Sequence, residues 1–246
     1  MRNRFINLLF FLLVFLVNVK TVFSQQEITF IGKDSLVITA DYYRSHTDDP
    51  WVLFFHQAGY SRGEFNEIAR KVQKMGFHCL AVDLRTGDEV NYTRNETARR
   101  AREMGLESKM IDAEKDILAA IDYVSLKTKK AILLFGSSFS ASLCMMVATN
   151  DTRVKGVMAF SPGEFFQPGV SVREKLKEFD KPLFVAASSR EYPFVKEMIR
   201  EVPSKNVTLV KPSGKYDGHG ASMLWDSSTV SDEIWLSLML FFRKMH

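Results

Sequence analysis

The sequence predicts an α/β protein with a mainly parallel central sheet and helices on both of its faces. Short apolar runs, such as Trp51–Phe55 and Ala131–Phe135, lack the alternation of a half-exposed strand and are typical of strands buried on both faces. Amphipathic segments typical of helices separate these runs, and that alternation favours a parallel sheet. No repeat or linker divides the chain, so residues 25–246 are predicted to form one domain.

The first half of the chain predicts a hairpin followed by alternating elements. Gly32-Lys33-Asp34 joins two strand-like runs closely enough for an amino-terminal hairpin. After the third strand, apolar residues recur at helical spacing until Gly76, which provides a stop signal. The predicted strands are Glu27–Ile31, Leu36–Tyr43, Trp51–Phe55 and Phe77–Leu84, and the predicted helices are Glu64–Met75 and Lys109–Leu126.

Residues Thr86–Leu106 form the one long connection of the predicted fold. Long connections in compact domains often bind ligands. This one is rich in arginine, so one interpretation is a cap that favours anionic substrates. The interpretation that the sequence favours is a solvated helix face, in which the arginines pair with Glu96 and Glu103. The arginines are Arg94, Arg99, Arg100 and Arg102.

The chain is organised around a tight turn at Gly136-Ser137-Ser138-Phe139-Ser140. The turn follows a buried strand and precedes apolar residues at helical spacing, so Ser138 lies at the apex of a strand–turn–helix unit. This is the pattern of a nucleophile elbow, where the residues two before and two after the apex must be small. Gly136 fits the pattern, and Ser140 is a small departure from the usual glycine. A turn of small residues without a catalytic role is the alternative.

Polar residues follow the later strands at the edge of the sheet where such folds bind ligands. A nucleophilic serine needs a base, and the base needs an orienting carboxylate. Ser138, Glu191 and His219 occur in the chain order Ser, acid, His, and Glu164 is an alternative acid after the preceding strand. The predicted strands here are Val154–Ser161, Pro182–Ala187 and Val207–Val210, with helices at Val172–Phe179, Phe194–Val202 and after Ser228.

With these motifs in place, the sequence resembles the α/β-hydrolases, and most closely the small single-domain branch similar to dienelactone hydrolase. The resemblance covers essentially the whole chain after residue 24. Its specific parts are Phe55-His56-Gln57-Ala58-Gly59, Gly136-Ser137-Ser138-Phe139-Ser140 and Gly218-His219-Gly220. It implies the α/β-hydrolase fold and a hydrolytic enzyme.

The resemblance also implies roles for individual residues. Ser138 would be the nucleophile, His219 the general base and Glu191 the acid, while the backbone N–H groups of Ala58 and Phe139 would bind the oxyanion. Two departures matter. Dienelactone hydrolases proper use a cysteine nucleophile, so the serine favours an esterase or a related acyl hydrolase. Gln57 also replaces a glycine that is usual in the oxyanion loop.

The amino terminus predicts export. Arg2 and Arg4 precede an apolar run from Phe5 to Val17, and Val22-Phe23-Ser24 places small or short residues at the positions that a signal peptidase reads. This pattern is typical of a secretory signal peptide covering residues 1–24, and an uncleaved membrane anchor is the alternative. Cleavage removes three basic groups, because Lys20 leaves with the two arginines, and lowers the formal charge from +4 to +1. The basic balance is therefore no argument for nucleic-acid binding.

The sequence as a whole predicts a secreted or periplasmic serine esterase that acts on a small ester and stays off the membrane after cleavage. No spacing of His, Cys, Asp or Glu predicts a metal site, and no glycine motif predicts a phosphate or another cofactor. Cys79 and Cys144 are predicted to be buried free thiols. The alternatives are a peptidase or thioesterase with the same residues, a non-catalytic binding protein with the same fold, and a membrane-anchored structural protein.

Overall fold

Residues 25–214 and 218–245 of the computed structural model form an eight-stranded sheet with helices on both faces, and a separate two-stranded ribbon. The predicted fold class is therefore confirmed. The predicted signal peptide of residues 1–24 lies outside the described residues. Within the described ranges, no helix has the length and apolar character required to cross a membrane.

The strands of the described ranges match the predicted ones to within about three residues at each end. They are β1 (Gln25–Ile31), β2 (Val37–Tyr43), β3 (Trp51–Phe55), β4 (His78–Val82), β5 (Glu89–Val90), β6 (Thr93–Arg94), β7 (Ile132–Ser137), β8 (Val154–Phe160), β9 (Leu183–Ala186) and β10 (Val207–Val210). The ribbon β5–β6 was not predicted, because it is too short to show a periodicity.

The helices begin near the predicted positions, and several of them open or close with a 3-10 turn. The α-helices are α1 (Asn66–Lys74), α2 (Glu96–Glu103), α3 (Glu114–Ser125), α4 (Phe139–Asn150), α5 (Val172–Lys175), α6 (Tyr192–Met198) and α7 (Ser231–Phe242). The 3-10 helices are Arg62–Phe65, Met110–Ala113, Leu176–Glu178, Ser204–Asn206 and Gly220–Leu224.

The sheet order places the nucleophile strand at its centre. The order is β1-β2-β4-β3-β7-β8-β9-β10. From β4 to β10 every neighbouring pair is parallel, whereas β1 and β2 form the predicted hairpin and β2 lies antiparallel to β4. The parallel strands therefore all end at one edge, which is where the polar residues singled out above are found.

Two apolar clusters cover the two faces of the sheet. One contains Ile117 of α3 and Leu143 of α4, and the other contains Ile68 of α1 and Leu238 of α7. Strands β3 and β4 are buried along their whole length, as their continuous apolar sequence requires. The two cysteines are buried free thiols, which confirms the prediction made for them.

The long connection after β4 is ordered as a small ribbon and a helix. Asn95 caps α2 by accepting the Ala98 N–H at 2.8 Å. On the exposed side of α2, Arg99 pairs with Glu96 at 2.9 Å and with Glu103 at 2.7 Å. The predicted pairing is therefore confirmed for Arg99, whereas Arg94 pairs with Glu89 and Arg102 bonds to the Gly87 carbonyl. Further contacts fix the segment, because Arg100 bonds to Thr39 Oγ1 at 2.7 Å.

Candidate active site

Ser138 lies at the sharp turn from β7 into α4. Its backbone has φ 60° and ψ −125°, a left-handed conformation that side chains rarely adopt. A Cβ atom at Gly136 would lie 2.4 Å from the Cα of Ala141, so the turn can close only with glycine at that position. This is the strand–turn–helix geometry that the sequence predicts for a nucleophile elbow.

Ser140, the departure from the usual elbow, has a hydrogen-bonding role of its own. Its side chain is fully buried, and its Oγ donates to the Phe55 carbonyl at 2.6 Å and accepts the Ser137 N–H at 2.9 Å. These bonds connect the elbow with the end of β3. A glycine could not make them, so the serine links two strands whose ends carry the site.

Ser138, His219 and Glu191 form one hydrogen-bonded chain. The Ser138 hydroxyl lies 2.8 Å from His219 Nε2, and His219 Nδ1 lies 2.5 Å from Glu191 Oε1. Because the ionised carboxylate only accepts, Nδ1 carries the proton and Nε2 is left as the acceptor for the hydroxyl. This tautomer is the one that a general base for Ser138 needs.

The environment of this chain keeps Glu191 ionised and makes His219 more basic. Burial acts to raise the pKa of Glu191, but hydrogen bonds from His219, Ser161 and Ser188 outweigh it and lower the pKa to about 2. The hydrogen bond to Glu191 raises the pKa of His219, against the opposing effect of burial. The carboxylate therefore stabilises the charge that the imidazole gains when it takes a proton.

Glu164, the alternative acid, is not brought to His219. Its carboxylate accepts the backbone N–H groups of Val172 at 2.7 Å and Arg173 at 2.8 Å. It also lies 3.3 Å from the Ser171 hydroxyl, so it occupies the start of α5. A carboxylate bound in this way stabilises the helix terminus, and the structure gives the histidine a different partner.

The loop after β3 is held by a buried histidine. His56 Nε2 accepts the Leu84 N–H at 2.9 Å, so the proton of this ring is on Nδ1, which donates to the Gln57 carbonyl at 2.8 Å. Burial lowers the pKa of His56 to about 4, and the ring is neutral at pH 7. His56 is thus a fixed support for the loop.

The two N–H groups expected to bind an oxyanion have no acceptor in the parts of the chain that the structure describes. Phe139 is the first residue of α4, where an N–H group has no intrahelical partner, and Ala58 follows the peptide that His56 holds. Gln57, which replaces the usual glycine, gives its own N–H to Glu64 Oε2 at 2.8 Å. Its substitution is therefore compatible with a structured loop.

Two apolar clefts flank the loop after β8. The first has a volume of about 640 Å³ and includes Pro162 and Pro193, which lie next to Ser161 and close to Glu191 in the chain. Phe194 and Met198 supply its apolar wall. The second has a volume of about 540 Å³ on the other side of the loop, and its lining includes Met110, Ile111, Phe165, Phe166 and Val170.

The sequence interpretation missed Glu64, which it treated as an ordinary helix start. Glu64 is fully buried beside the elbow and bonds to Ser137 Oγ at 2.7 Å. Its position was detectable, because Glu64, Ile68 and Val72 share the face of a helix at intervals of four residues, and the other two are core residues. A carboxylate on a buried face requires a polar partner.

The comparisons identify the family. The profile described as "Dienelactone hydrolase family" matches residues 39–208, which is more than half of the chain. The protein therefore belongs to the dienelactone hydrolase family and has the α/β-hydrolase fold. No protein with a curated description matches the sequence.

Solved structures support the fold at low sequence identity. An esterase from Pyrococcus furiosus superposes with a TM-score of 0.67 and 16% identity, covering 91% of this chain and 93% of the esterase. A dienelactone hydrolase from Anabaena variabilis gives 0.65 and 15%, covering 90% and 98%. An acylaminoacyl peptidase from Pyrococcus horikoshii gives 0.62 and 17%, covering 91% of this chain and 42% of the peptidase. Within the described residues no group of His, Cys, Asp and Glu could hold a metal ion.

Proposed function

We propose that the protein is an exported serine hydrolase that cleaves a small carboxylic ester by acyl transfer. The observation that carries this proposal is the unbroken hydrogen-bonded chain from Ser138 through His219 to Glu191. Each of the three side chains follows a different parallel strand, so the arrangement depends on the fold and not on one local motif. The esterase among the similar structures agrees with this reaction class.

The mechanism follows from the atoms that face each other. Ser138 Oγ attacks the ester carbonyl carbon while its proton passes to His219 Nε2, and Glu191 stabilises the resulting imidazolium. The Ala58 and Phe139 N–H groups donate hydrogen bonds to the negatively charged oxygen of the tetrahedral intermediate. The imidazolium then protonates the leaving alkoxide, which leaves an acyl-enzyme on Ser138. Water attacks this acyl-enzyme while His219 takes a proton from it, and the imidazolium returns the proton to Ser138 Oγ as the acid leaves. The chemistry uses side chains and water, and the proposal includes no cofactor.

The clefts beside the loop after β8 support a substrate with an apolar body. Both clefts are lined mainly by apolar side chains, and each has the volume of a small-molecule site. We propose an ester of a small acyl or aromatic acid, whose apolar body would lie in one of these clefts. We propose no nucleic-acid partner, and no stable membrane association once residues 1–24 have been removed.

A peptidase or thioesterase would use the same chain of residues and is the second candidate. The similarity to an acylaminoacyl peptidase favours it, although this chain covers less than half of that protein. A non-catalytic binding protein has less support. Gln57 and Ser140 favour it, because they depart from the residues usual in the oxyanion loop and the elbow. Both residues, however, have hydrogen-bond partners beside the Ser138, His219 and Glu191 side chains.

The test is hydrolysis of short-chain p-nitrophenyl esters together with labelling by a fluorophosphonate probe. We expect turnover and labelling in the wild type and neither in Ser138→Ala. Matched thioesters and p-nitroanilides separate the three reaction classes by kcat/KM. Full activity in Ser138→Ala would disprove the proposal, and absence of both signals in the wild type would favour the binding protein. Export is tested separately by sequencing the mature amino terminus, which we expect at Gln25.

A further inference from the structure

Glu64 is a second carboxylate near the candidate active site, and it has no role in the mechanism proposed above. It lies in the 3-10 helix Arg62–Phe65, directly after the loop that follows β3. The side chain is fully buried, and burial raises the pKa of Glu64 to about 7 against the hydrogen bonds that lower it. Burying a carboxylate costs free energy unless hydrogen-bond donors surround it, so the partners of Glu64 indicate its role.

The first set of partners belongs to Gln57. Glu64 Oε2 accepts the Gln57 backbone N–H at 2.8 Å, and Oε1 accepts the side-chain amide at 3.2 Å. The Gln57 carbonyl is held on its other side by His56 at 2.8 Å. Because this carbonyl and the Ala58 N–H belong to one planar peptide unit, fixing Gln57 at both ends also fixes the direction of the Ala58 N–H.

The second partner is Ser137, the residue before the nucleophile. Its Oγ donates to Glu64 Oε1 at 2.7 Å and accepts the backbone N–H of Ala221 at 2.8 Å. Ala221 lies two residues after His219, so the carboxylate reaches the histidine loop through one hydroxyl. The fit is close, because a Cβ atom at Gly220 would lie 2.4 Å from Ser137 Oγ.

We infer that Glu64 is a positioning residue that locks the oxyanion loop, the nucleophile elbow and the histidine loop into one arrangement. The three loops follow β3, β7 and β10, and they meet at this one side chain. Among the described residues Glu64 makes no hydrogen bond to Ser138 Oγ or to the ring of His219, so its hydrogen bonds position these groups through their neighbours. The inference rests on the proposed serine hydrolase function.

A carboxylate is the group that this position requires. All three groups that face Glu64 are donors, namely the Gln57 N–H, the Gln57 side-chain amide and the Ser137 hydroxyl. Above its pKa of about 7 the Glu64 carboxylate is ionised, so it only accepts and satisfies all three donors. A glutamine of the same size would turn an NH₂ group toward a donor and would release one arm of the lock.

The experiment measures kcat, KM and the fluorophosphonate labelling rate for Glu64→Gln, Ser137→Ala and the double variant. The matched control is Glu67→Gln, which removes the same charge from an exposed residue of the neighbouring helix. We expect Glu64→Gln to lower kcat and the labelling rate by about 10- to 100-fold, with KM within about twofold. The reason is that a displaced oxyanion donor weakens the binding of the transition state and not that of the substrate. We expect Glu67→Gln to match the wild type.

The double variant tests whether the lock is one unit. We expect its loss to be no larger than about that of the more damaging single variant, because either change breaks the same connection. Additive losses, an effect confined to KM, or wild-type kcat in both single variants would each overturn the inference. If Glu64→Gln does not fold, as judged by circular dichroism, Ser137→Ala tests the connection from Glu64 to the histidine loop, and wild-type kcat in this variant would overturn the inference. If Ser138→Ala is inactive but the Glu64 and Ser137 variants turn over like the wild type, the positioning role alone is refuted. If the wild type itself is inactive, the proposed function and the inference are refuted together.

Discussion

Glu191 and Glu64 are carboxylates of the same site, and their surroundings drive their protonation in opposite directions. The Glu191 side chain is 28% exposed and directly bonded to His219, while Glu64 is fully buried and reaches the histidine loop only through Ser137. Hydrogen bonds lower the pKa of Glu191 to about 2, and burial raises that of Glu64 to about 7. The hydrogen-bond donors around Glu191 set the direction of its pKa shift, whereas the loss of solvent sets the direction for Glu64.

The two carboxylates nevertheless hold the histidine loop in the same manner. Each one receives a serine hydroxyl that in turn accepts a backbone N–H of that loop. Ser161 bridges Glu191 and Gly220, and Ser137 bridges Glu64 and Ala221. The position of His219 therefore depends on both sides of the site, whereas its charge depends mainly on Glu191.

The largest effect is expected from Glu191→Gln. We expect kcat to fall by roughly 10³- to 10⁴-fold, because the amide no longer selects the productive tautomer or stabilises the imidazolium. Glu191 raises the pKa of His219, and the base must be neutral, so the acid limb of the kcat/KM profile should move to lower pH in the variant. A pH–rate titration checks this, and a limb that stays in place would mean that another group titrates.

The second effect concerns stability and tests the opposite behaviour of Glu64. Its pKa is raised from 4.5 to about 7, so the folded state holds a proton that the unfolded state releases between these values. The contribution of the neutral form is therefore present below pH 4.5 and is lost as pH rises through 7. Glu64→Gln stays neutral, so the wild type should lose on the order of 3 kcal/mol relative to it over this range.

Urea unfolding at several pH values measures that difference. Asp83, whose pKa burial raises to about 6, titrates in both proteins and cancels in the comparison. Glu67→Gln is the control, since it removes the same charge from an exposed position of the neighbouring helix. Parallel curves for the wild type and Glu64→Gln would show that Glu64 remains ionised in the folded protein.

The sequence could predict the strands, most helices and the residues of the hydrogen-bonded chain because each of these has a local signal. Strand and helix periods are set by neighbours in the chain, and the elbow is a short motif whose small residues are sterically required. The choice of Glu191 over Glu164 depended on the order of strands. In the structure Glu191 bonds to His219, whereas Glu164 bonds to backbone at the start of α5.

The sequence could not predict the hydroxyl network, because its partners are far apart in the chain and any serine could occupy such a place. Ser137 and Glu64 are separated by 73 positions, and Ser137 and Ala221 by 84. Ser140 is a similar case. The sequence shows only that a serine replaces the usual glycine of the elbow. The hydrogen bond that this serine donates to the Phe55 carbonyl is visible only in the structure.

A smaller effect is expected from Ser161→Ala on the Glu191 side. Glu191 keeps His219 and both donors of Ser188, so we expect kcat to fall by about tenfold, which corresponds to about 1.4 kcal/mol. Ser142→Ala is the matched control, because its hydroxyl bonds only to Gly163 on the same loop. Steady-state kinetics decide the matter, and an unchanged kcat would mean that Ser188 alone supports the acid.

The smallest effect is expected from Arg99→Ala, where charges are paired in solvent. Arg99 is 48% exposed and pairs with Glu96 and Glu103 along one face of α2, so its loss should leave the stability of the protein close to that of the wild type. If the arginines of this segment instead formed a cap for anionic substrates, the variant would lower kcat/KM for an ester with a carboxylate and spare a neutral one. We expect the ratio of the two to stay within about twofold, because a surface pair screened by water has little influence on a distant charge. A selective loss with the anionic ester would give the segment a part in substrate binding that its ion pairs do not suggest.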